Sequence, residues 1–212
     1  MSQPRVVIMG PQGAGKGTQS RRIVEAFDVE HVSTGDMLRA NKDMETEHGT
    51  PREYMEAGEL VPDEVMEAVV EEALADKDGY VLDGYPRTQG QAEFLAGIED
   101  IDGVLFIDIS DETAVERLSG RRVCPECGAN YHVEFDQPEE EGVCDECGAD
   151  LKQRDDDEPE AIRTRLSEYH DQTEPVVAFY EDETEVPVVT IDGERSPDEV
   201  WEDVRDAIER VA

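Results

Sequence analysis

Apolar positions along the chain fall into short β-rich runs separated by stretches with helical period. The runs RVVIM (5–9), HVS (31–33), YVLD (80–83), GVLFIDIS (103–110) and PVVTI (187–191) predict strands. Helical patterns cover 16–26, 35–42, 50–57, 62–75, 88–97 and 111–120. From Pro197 onward, Val200, Val204, Ile208 and Val211 share one face with Trp201 beside it. That spacing predicts an amphipathic helix lying on a sheet, with Trp201 in the core rather than stacked on a ligand. Another helix is expected from Pro159, a first-turn position after the acidic run DDD, with Ile162, Leu166 and Tyr169 as its stripe. Pro175 is expected to end or kink it.

Strands alternating with helices predict βαβ units and a parallel sheet, an α/β fold in three layers with five parallel strands. Two pieces interrupt the alternation. One, 33–62, is helical and mostly charged; the other, 121–154, holds every cysteine. Both read as excursions from a core made of 1–32, 63–120 and 155–212, each a small mobile flap.

Composition narrows the class. The 212 residues suit one α/β domain with modest insertions, and 37% hydrophobic content allows a core without excess. Net charge is −36, from 55 acidic against 19 basic residues, and only Lys16, Lys42, Lys77 and Lys152 are lysines. Such a surface repels nucleic acid and anionic membranes. Low hydrophobicity with high charge also marks disorder. Here, however, the acids are interleaved with periodic apolar positions, so the reading is a folded protein adapted to a very salty cytosol, where self-repulsion is screened. No run approaches the length of a membrane helix, and the first residues carry no signal peptide, so a cytoplasmic monomer is expected.

Chemistry begins at GPQGAGKGTQ, Gly10–Gln19, directly after the first strand. Its glycines (Gly10, Gly13, Gly15, Gly17) let successive N–H groups point inward at a phosphate chain, beside a helix N-terminus. Lys16 adds a point charge for the outer phosphates. The usual P-loop has Ser or Thr right after the lysine; here Gly17 intervenes and the hydroxyl comes at Thr18, where it can sit near a magnesium ion. Asp83, at a strand end, can hold the same ion through water, and Asp36 is a second candidate.

This loop resembles that of the adenylate kinases, within the nucleoside monophosphate kinase family. VSTGDMLR (32–39) and DGYPRTQGQA (83–92) are similar to two further family segments. The resemblance implies a P-loop fold and the reaction Mg-ATP + AMP ⇌ 2 ADP. It puts ATP on Gly13, Ala14, Gly15, Lys16, Gly17 and Thr18, with Arg117, Asn130, Tyr131 and Arg195 around the base and Arg121 on its phosphates. It puts AMP on Thr34, Arg39, Glu59, Leu60, Val61, Gly84, Tyr85, Pro86, Arg87 and Gln91. Arg154 and Arg165 would sit on the transferring phosphates, and Lys16, Arg87, Arg121, Arg154 and Arg165 would be the catalytic set. Gln91 suits adenine physically, because an amide both donates and accepts. STGD, taken alone, reads as an ordinary helix cap, but beside DGYPR the nucleotide reading takes precedence, and Arg122 reads as a surface residue paired to acids. Phosphoryl transfer needs alignment and charge neutralisation rather than a general base, so no histidine is assigned to catalysis.

The spacing C-x2-C-x16-C-x2-C, at Cys124, Cys127, Cys144 and Cys147, is that of a metal site, with zinc favoured and iron second. Such ribbons often grip nucleic acid. Between Cys124 and Cys147, however, stand eight acids and no lysine or arginine, so the metal is read as structural. In the family this insert is the lid over ATP, which excludes water when it closes. Other readings stay open at this point: a monophosphate kinase with GTP as donor or CMP or UMP as acceptor, a P-loop NTPase with a partner-docking ribbon, or an electron carrier with iron in the knuckles.

Overall fold

The computed structural model describes residues 3–40, 43, 49–57 and 61–212. Five parallel strands form the central sheet in the order β2-β3-β1-β4-β7: β1 (Arg5–Met9), β2 (Glu30–Ser33), β3 (Tyr80–Asp83), β4 (Gly103–Asp108) and β7 (Val188–Asp192). The expected fold is the observed one. Parallel pairing requires a crossover between strands, and each crossover carries helices: α1 (Lys16–Phe27) after β1; α2 (Thr34–Ala40), α3 (Pro51–Ala57) and α4 (Asp63–Leu74) after β2; α5 (Gln89–Ile98) after β3. After β4 come α6 (Asp111–Ser119), the antiparallel pair β5 (Arg121–Val123) and β6 (Asn130–His132), then α7 (Pro159–Glu168) and α8 (Glu174–Glu183); α9 (Pro197–Val211) closes the chain.

Side chains alternate across the pleat and so divide the core in two. On one face Val6, Ile8, Val81, Leu105 and Ile107 pack against Ile23 of α1, Leu118 of α6, Ile162 of α7 and the Val200, Val204 and Ile208 face of α9. On the other, Val7, Met9, Leu82, Val104 and Phe106 meet Val70 of α4, Leu95 of α5 and Tyr180 of α8. Trp201 is partly buried against the first cluster, as the sequence predicts.

Three details differ from expectation. The fourth strand stops at Asp108 because Ser110 turns away to cap α6, its Oγ accepting from the Thr113 N–H at 3.3 Å. Within the helical region after Pro159, the break comes at a π-helical turn, Tyr169–Thr173, upstream of Pro175; Pro175 then sits in the first turn of α8, where its missing N–H costs nothing. Ile162 and Leu166 enter one cluster and Tyr169 the other. Finally, the cysteine insert has its own hairpin, β5 with β6, too short to leave a periodic signal.

Candidate functional site: a cation-lined cleft over the strand ends

The C-terminal ends of β1, β2 and β3 open into a cleft of about 1520 Å³. Among the described residues, Lys16, Lys152 and nine arginines line it: Arg21, Arg39, Arg52, Arg87, Arg117, Arg121, Arg154, Arg165 and Arg195. In a chain with only 19 basic residues against 55 acidic ones, that is a strong concentration of cations.

One end is the glycine loop. Gly10 has φ +139, and a Cβ there would lie 2.1 Å from the Ile107 carbonyl oxygen, so only glycine lets the loop leave β1 against β4. The loop delivers α1 with Gly15 at its N-cap, no side-chain cap and no acid in the first turn. Helices α5, α6 and α9 are capped by Thr88, Ser110 and Ser196. The first N–H groups of α1 therefore remain available to an anion. The Lys16 ammonium donates to the Gly10 and Pro11 carbonyls, at 2.7 and 2.8 Å. Burial lowers its pKa to about 8, with Arg87, Arg165 and Arg121 acting in the same direction and Asp83 opposing.

Gly17, where the common loop has a hydroxyl, faces the Asp83 carboxylate: a Cβ there would stand 3.8 Å from Oδ2. Asp83 ends β3 as expected, and His31, which the sequence reading leaves unassigned, brings its Nε2 to 3.5 Å from the same oxygen. Asp36 is different. Burial acts to raise its pKa, but Arg39, paired to it at 2.6 Å, holds it below the usual carboxylate range.

The second end is a smaller pocket of about 110 Å³, continuous with the first, walled by Leu38, Met55, Val61 and Tyr85, with Arg39, Arg87 and Arg165 on its polar side. Gly84 has φ +84, and a Cβ there would come within 2.9 Å of the Thr34 hydroxyl. Thr34 is fully buried and donates to the Gly84 carbonyl at 2.9 Å. The capping task falls instead to Ser33, whose Oγ accepts from the Asp36 N–H at 3.2 Å. Gln91 is 2% exposed, and its side chain accepts from the Arg87 N–H at 2.8 Å and donates to Asp63 at 2.7 Å, so it braces the DGYPR turn. Tyr85 and Pro86 do line the smaller pocket, as does Val61; Glu59 and Leu60 lie outside the described residues.

Between the two ends the arginines gather around two carboxylates that the sequence reading leaves unassigned. Arg121 grips the fully buried Asp157 with Nε and Nη2, at 2.8 and 2.5 Å, and Arg165 reaches Asp156 at 3.1 Å. Asp156 and Asp157 belong to the DDD run directly after Arg154, a cue that composition hides among so many acids. Burial lowers the Arg87 pKa to about 10, with Arg165 and Arg39 adding repulsion; burial lowers Arg154 equally far, helped by Arg121 and Arg39. Cations outnumber carboxylates here, and an anion entering the cleft relieves their mutual repulsion.

Around the loop's outer side, Arg117 donates to the Gly193 carbonyl at 2.9 Å and more weakly to Gly13 at 3.4 Å. Arg195 pairs with Asp203 and Asp192, and Glu194 accepts from the Ser110 N–H and the Thr113 hydroxyl at 2.7 and 2.6 Å, tying the turn after β7 to α6. Arg122 donates to the Arg121 carbonyl at 2.7 Å, not to an acid as expected.

The four cysteine sulfurs lie within 4.8 Å of one another, with Cys124–Cys147 at 3.4 Å and Cys127–Cys144 at 3.5 Å. A disulfide needs about 2.05 Å. Tetrahedral zinc with Zn–S of about 2.3 Å puts its sulfurs about 3.8 Å apart, so the cluster fits a four-thiolate metal ion. Each knuckle folds in the same way: the Cys124 N–H donates to Ala129 at 2.8 Å and the Cys144 N–H to Ala149 at 2.9 Å. Burial would push the Cys144 thiol up, but the Tyr131 hydroxyl and the Cys147 and Glu146 N–H groups outweigh it and bring it down to about 6. No helix among the described residues is long and apolar enough to cross a membrane.

Comparison with known proteins agrees with this geometry. The family model described as adenylate kinase matches residues 8–185. An adenylate kinase of Haloarcula marismortui is 59% identical over 99% of this chain and 98% of its own length. Those of Natronomonas pharaonis (54%, covering 99% and 98%) and Oceanobacillus iheyensis (44%, covering 97% and 99%) are also similar throughout.

Proposed function

The chain belongs to the adenylate kinase family, and from that premise we propose how its own residues perform the phosphoryl transfer between ATP and AMP. The carrying observation is the cleft itself. Its volume of about 1520 Å³ exceeds the roughly 300–1,000 Å³ of a single small-molecule pocket, and cations line it from the glycine loop to the Gly84–Arg87 turn.

The donor's phosphates lie against Gly13, Ala14, Gly15, Gly17 and the first turn of α1, with Lys16 leaving its carbonyl partners to follow the outer phosphate. Arg117, Asn130, Tyr131 and the backbone near Arg195 border the donor base. The acceptor sits in the smaller pocket between Val61, Gly84, Tyr85 and Pro86, its phosphate on Arg39 and Arg87; Thr34 and Gln91, bonded to the Gly84–Arg87 turn, hold the rest of AMP. Arg121, Arg154 and Arg165 trade Asp156 and Asp157 for phosphate oxygens as the nucleotides meet. The AMP phosphate is already an anionic nucleophile, so the protein aligns, neutralises charge and excludes water. Magnesium bound with ATP would supply further charge neutralisation; Asp83, through water, and Thr18 are the residues placed to hold it. Zinc is the metal that suits the four thiolates, acting as a staple for the insert. A chain dependent on reduced thiols belongs in the cytoplasm, and its acid-rich surface suits one of high salt. We read it as a monomer.

The deciding assay measures ADP production from ATP against AMP, CMP, UMP and GMP in molar salt. AMP is expected to be preferred by at least about tenfold in kcat/KM, the worth of one well-placed polar contact. Equal rates with CMP or UMP would make this a broader monophosphate kinase.

Lys16 gives a pH dependence. Its folded pKa is lowered to about 8, so below that pH the ammonium is present for the donor phosphates. Above it, binding must first take up a proton, and KM for ATP is expected to rise about tenfold per pH unit until the pKa of the bound state is reached. The same depression means that folding releases this proton between pH 8 and the ordinary lysine value of 10.5, so apo stability gains from Lys16 as pH rises through that window. Calorimetry of ATP binding at pH 8.5 in buffers of different ionisation enthalpy checks the proton uptake; a flat KM from pH 7 to 9.5 removes Lys16 from the donor site.

A further inference from the structure

The metal knuckles and the donor end of the cleft share one side chain. Tyr131 lies in β6, whose residues Asn130, Tyr131 and His132 line the cleft. Its ring packs against the small cluster of Cys124, Ala129 and Cys144, and its hydroxyl lies 3.5 Å from the Cys144 sulfur while accepting from the Asp145 N–H at 2.9 Å. Pairing with β5 fixes the register: Tyr131 stands opposite Arg122, and His132 opposite Arg121, the arginine placed on the donor phosphates. The first cysteine pair flanks the turn of this hairpin, whereas the second pair lies in a separate knuckle. Among the described residues, and apart from sulfur–sulfur contacts, the side-chain hydrogen bonds between hairpin and second knuckle are the two at the Tyr131 hydroxyl.

We propose that Tyr131 is a positioning residue: its hydroxyl donates to the Cys144 thiolate, and through that bond metal occupancy sets the position of the β6 backbone that borders the donor nucleotide. The chemistry is that of an outer-shell hydrogen bond on a metal-bound thiolate. It draws electron density from the sulfur, neutralises part of the charge of a four-thiolate centre and fixes the ligand's direction. The Asp145 N–H completes the arrangement, because a phenol that accepts one hydrogen bond becomes a better donor of its own. One side chain thus bonds the far knuckle directly to the nucleotide wall, and its loss should be felt at both places. This rests on reading the cysteines as a metal centre and the β6 side of the cleft as the donor end.

Tyr131→Phe keeps the ring and removes only the hydroxyl. Full-length protein loaded with Co2+ in place of the native metal reports directly on the sulfur: its thiolate-to-metal charge-transfer band is expected to move to longer wavelength in the variant, since a sulfur relieved of a hydrogen bond gives up electron density more readily. Release of the native metal to a chromogenic chelator should accelerate by about 10-fold, the lower end for an outer-shell partner. KM for ATP should rise about fivefold more than KM for AMP, which is the worth of one lost neutral hydrogen bond. An unmoved band overturns the proposal even if release is faster, because the hydroxyl would then act through packing alone. A shifted band with KM values for ATP and AMP moving together overturns the link to the donor site. A wild-type protein that takes up no Co2+ and holds no native metal overturns the metal reading itself, and this inference with it.

Discussion

Arg87→Ala is expected to lower kcat by about 100- to 1000-fold, the usual cost of removing one preorganised donor from developing charge, while the protein keeps its far-UV spectrum and melting temperature. The two halves of the expectation have one origin. Arg87 follows the Gly84 turn, its Nε donating to the Gly84 carbonyl at 2.8 Å and its backbone held by Gln91, so the side chain is aimed before any ligand arrives. It stands among Arg165, Arg39 and the Asp83 carboxylate, in a place where burial and like charges lower its pKa to about 10. Removing it from the empty protein relieves repulsion, so folding loses little. Removing it from the reacting complex leaves phosphoryl oxygens without a bidentate partner as charge redistributes along the transfer axis. Lysine should not rescue the rate, because a point charge cannot reproduce the planar fork. Turnover within a few-fold of wild type would take Arg87 out of the mechanism.

Cys124→Ser is expected to empty the metal site and lower the melting temperature by about 8–16 °C, from a loss of about 4 kcal/mol typical of a lost structural metal at 2–4 °C per kcal/mol for a chain of this size. Apart from that centre, the insert has little to hold it. Its buried apolar set is Cys124, Ala129 and Cys144, with Tyr131, Ala149 and Leu151 only partly covered, and the exposed Phe135 lies over His132 at 4.2 Å. An unbound knuckle would leave thiolates crowded without a cation, which favours opening. Metal content by elemental analysis and scanning calorimetry together decide the matter; one metal per chain and an unchanged transition would show that Cys124 is not a ligand.

Much of the fold was legible because its periodicities are strong. Alternation within β1 and β4 is dictated by two buried faces, and the Val200–Ile208 stripe of α9 is a matter of helical geometry. The missed elements are those governed by something other than pattern. β5 and β6, three residues each, are held by pairing and by the knuckles beside them. α8 was hidden because Pro175 reads equally well as a helix breaker or as a first-turn residue, and only the π-helical turn before it selects the second.

At the site, the sequence named the chemistry but not the assignments within it. Gly10, Lys16 and the four cysteines could be read from spacing alone, since phosphate and metal geometry leave few ways to build such loops. Gln91 and Thr34 could not: an amide or hydroxyl beside a turn serves ligand or backbone equally well, and here both bond to the Gly84–Arg87 turn that borders the smaller pocket. Asp156 and Asp157 were lost among 55 acids until the third dimension set them against Arg121 and Arg165. By itself the sequence determined the layers, the glycine loop, the paired cysteines and the scarcity of positive charge, because each depends on local spacing or composition. Only the tertiary structure decided which cations meet across one cleft and which carboxylates keep them company, because Coulomb energy depends on distances in space that chain separation does not fix.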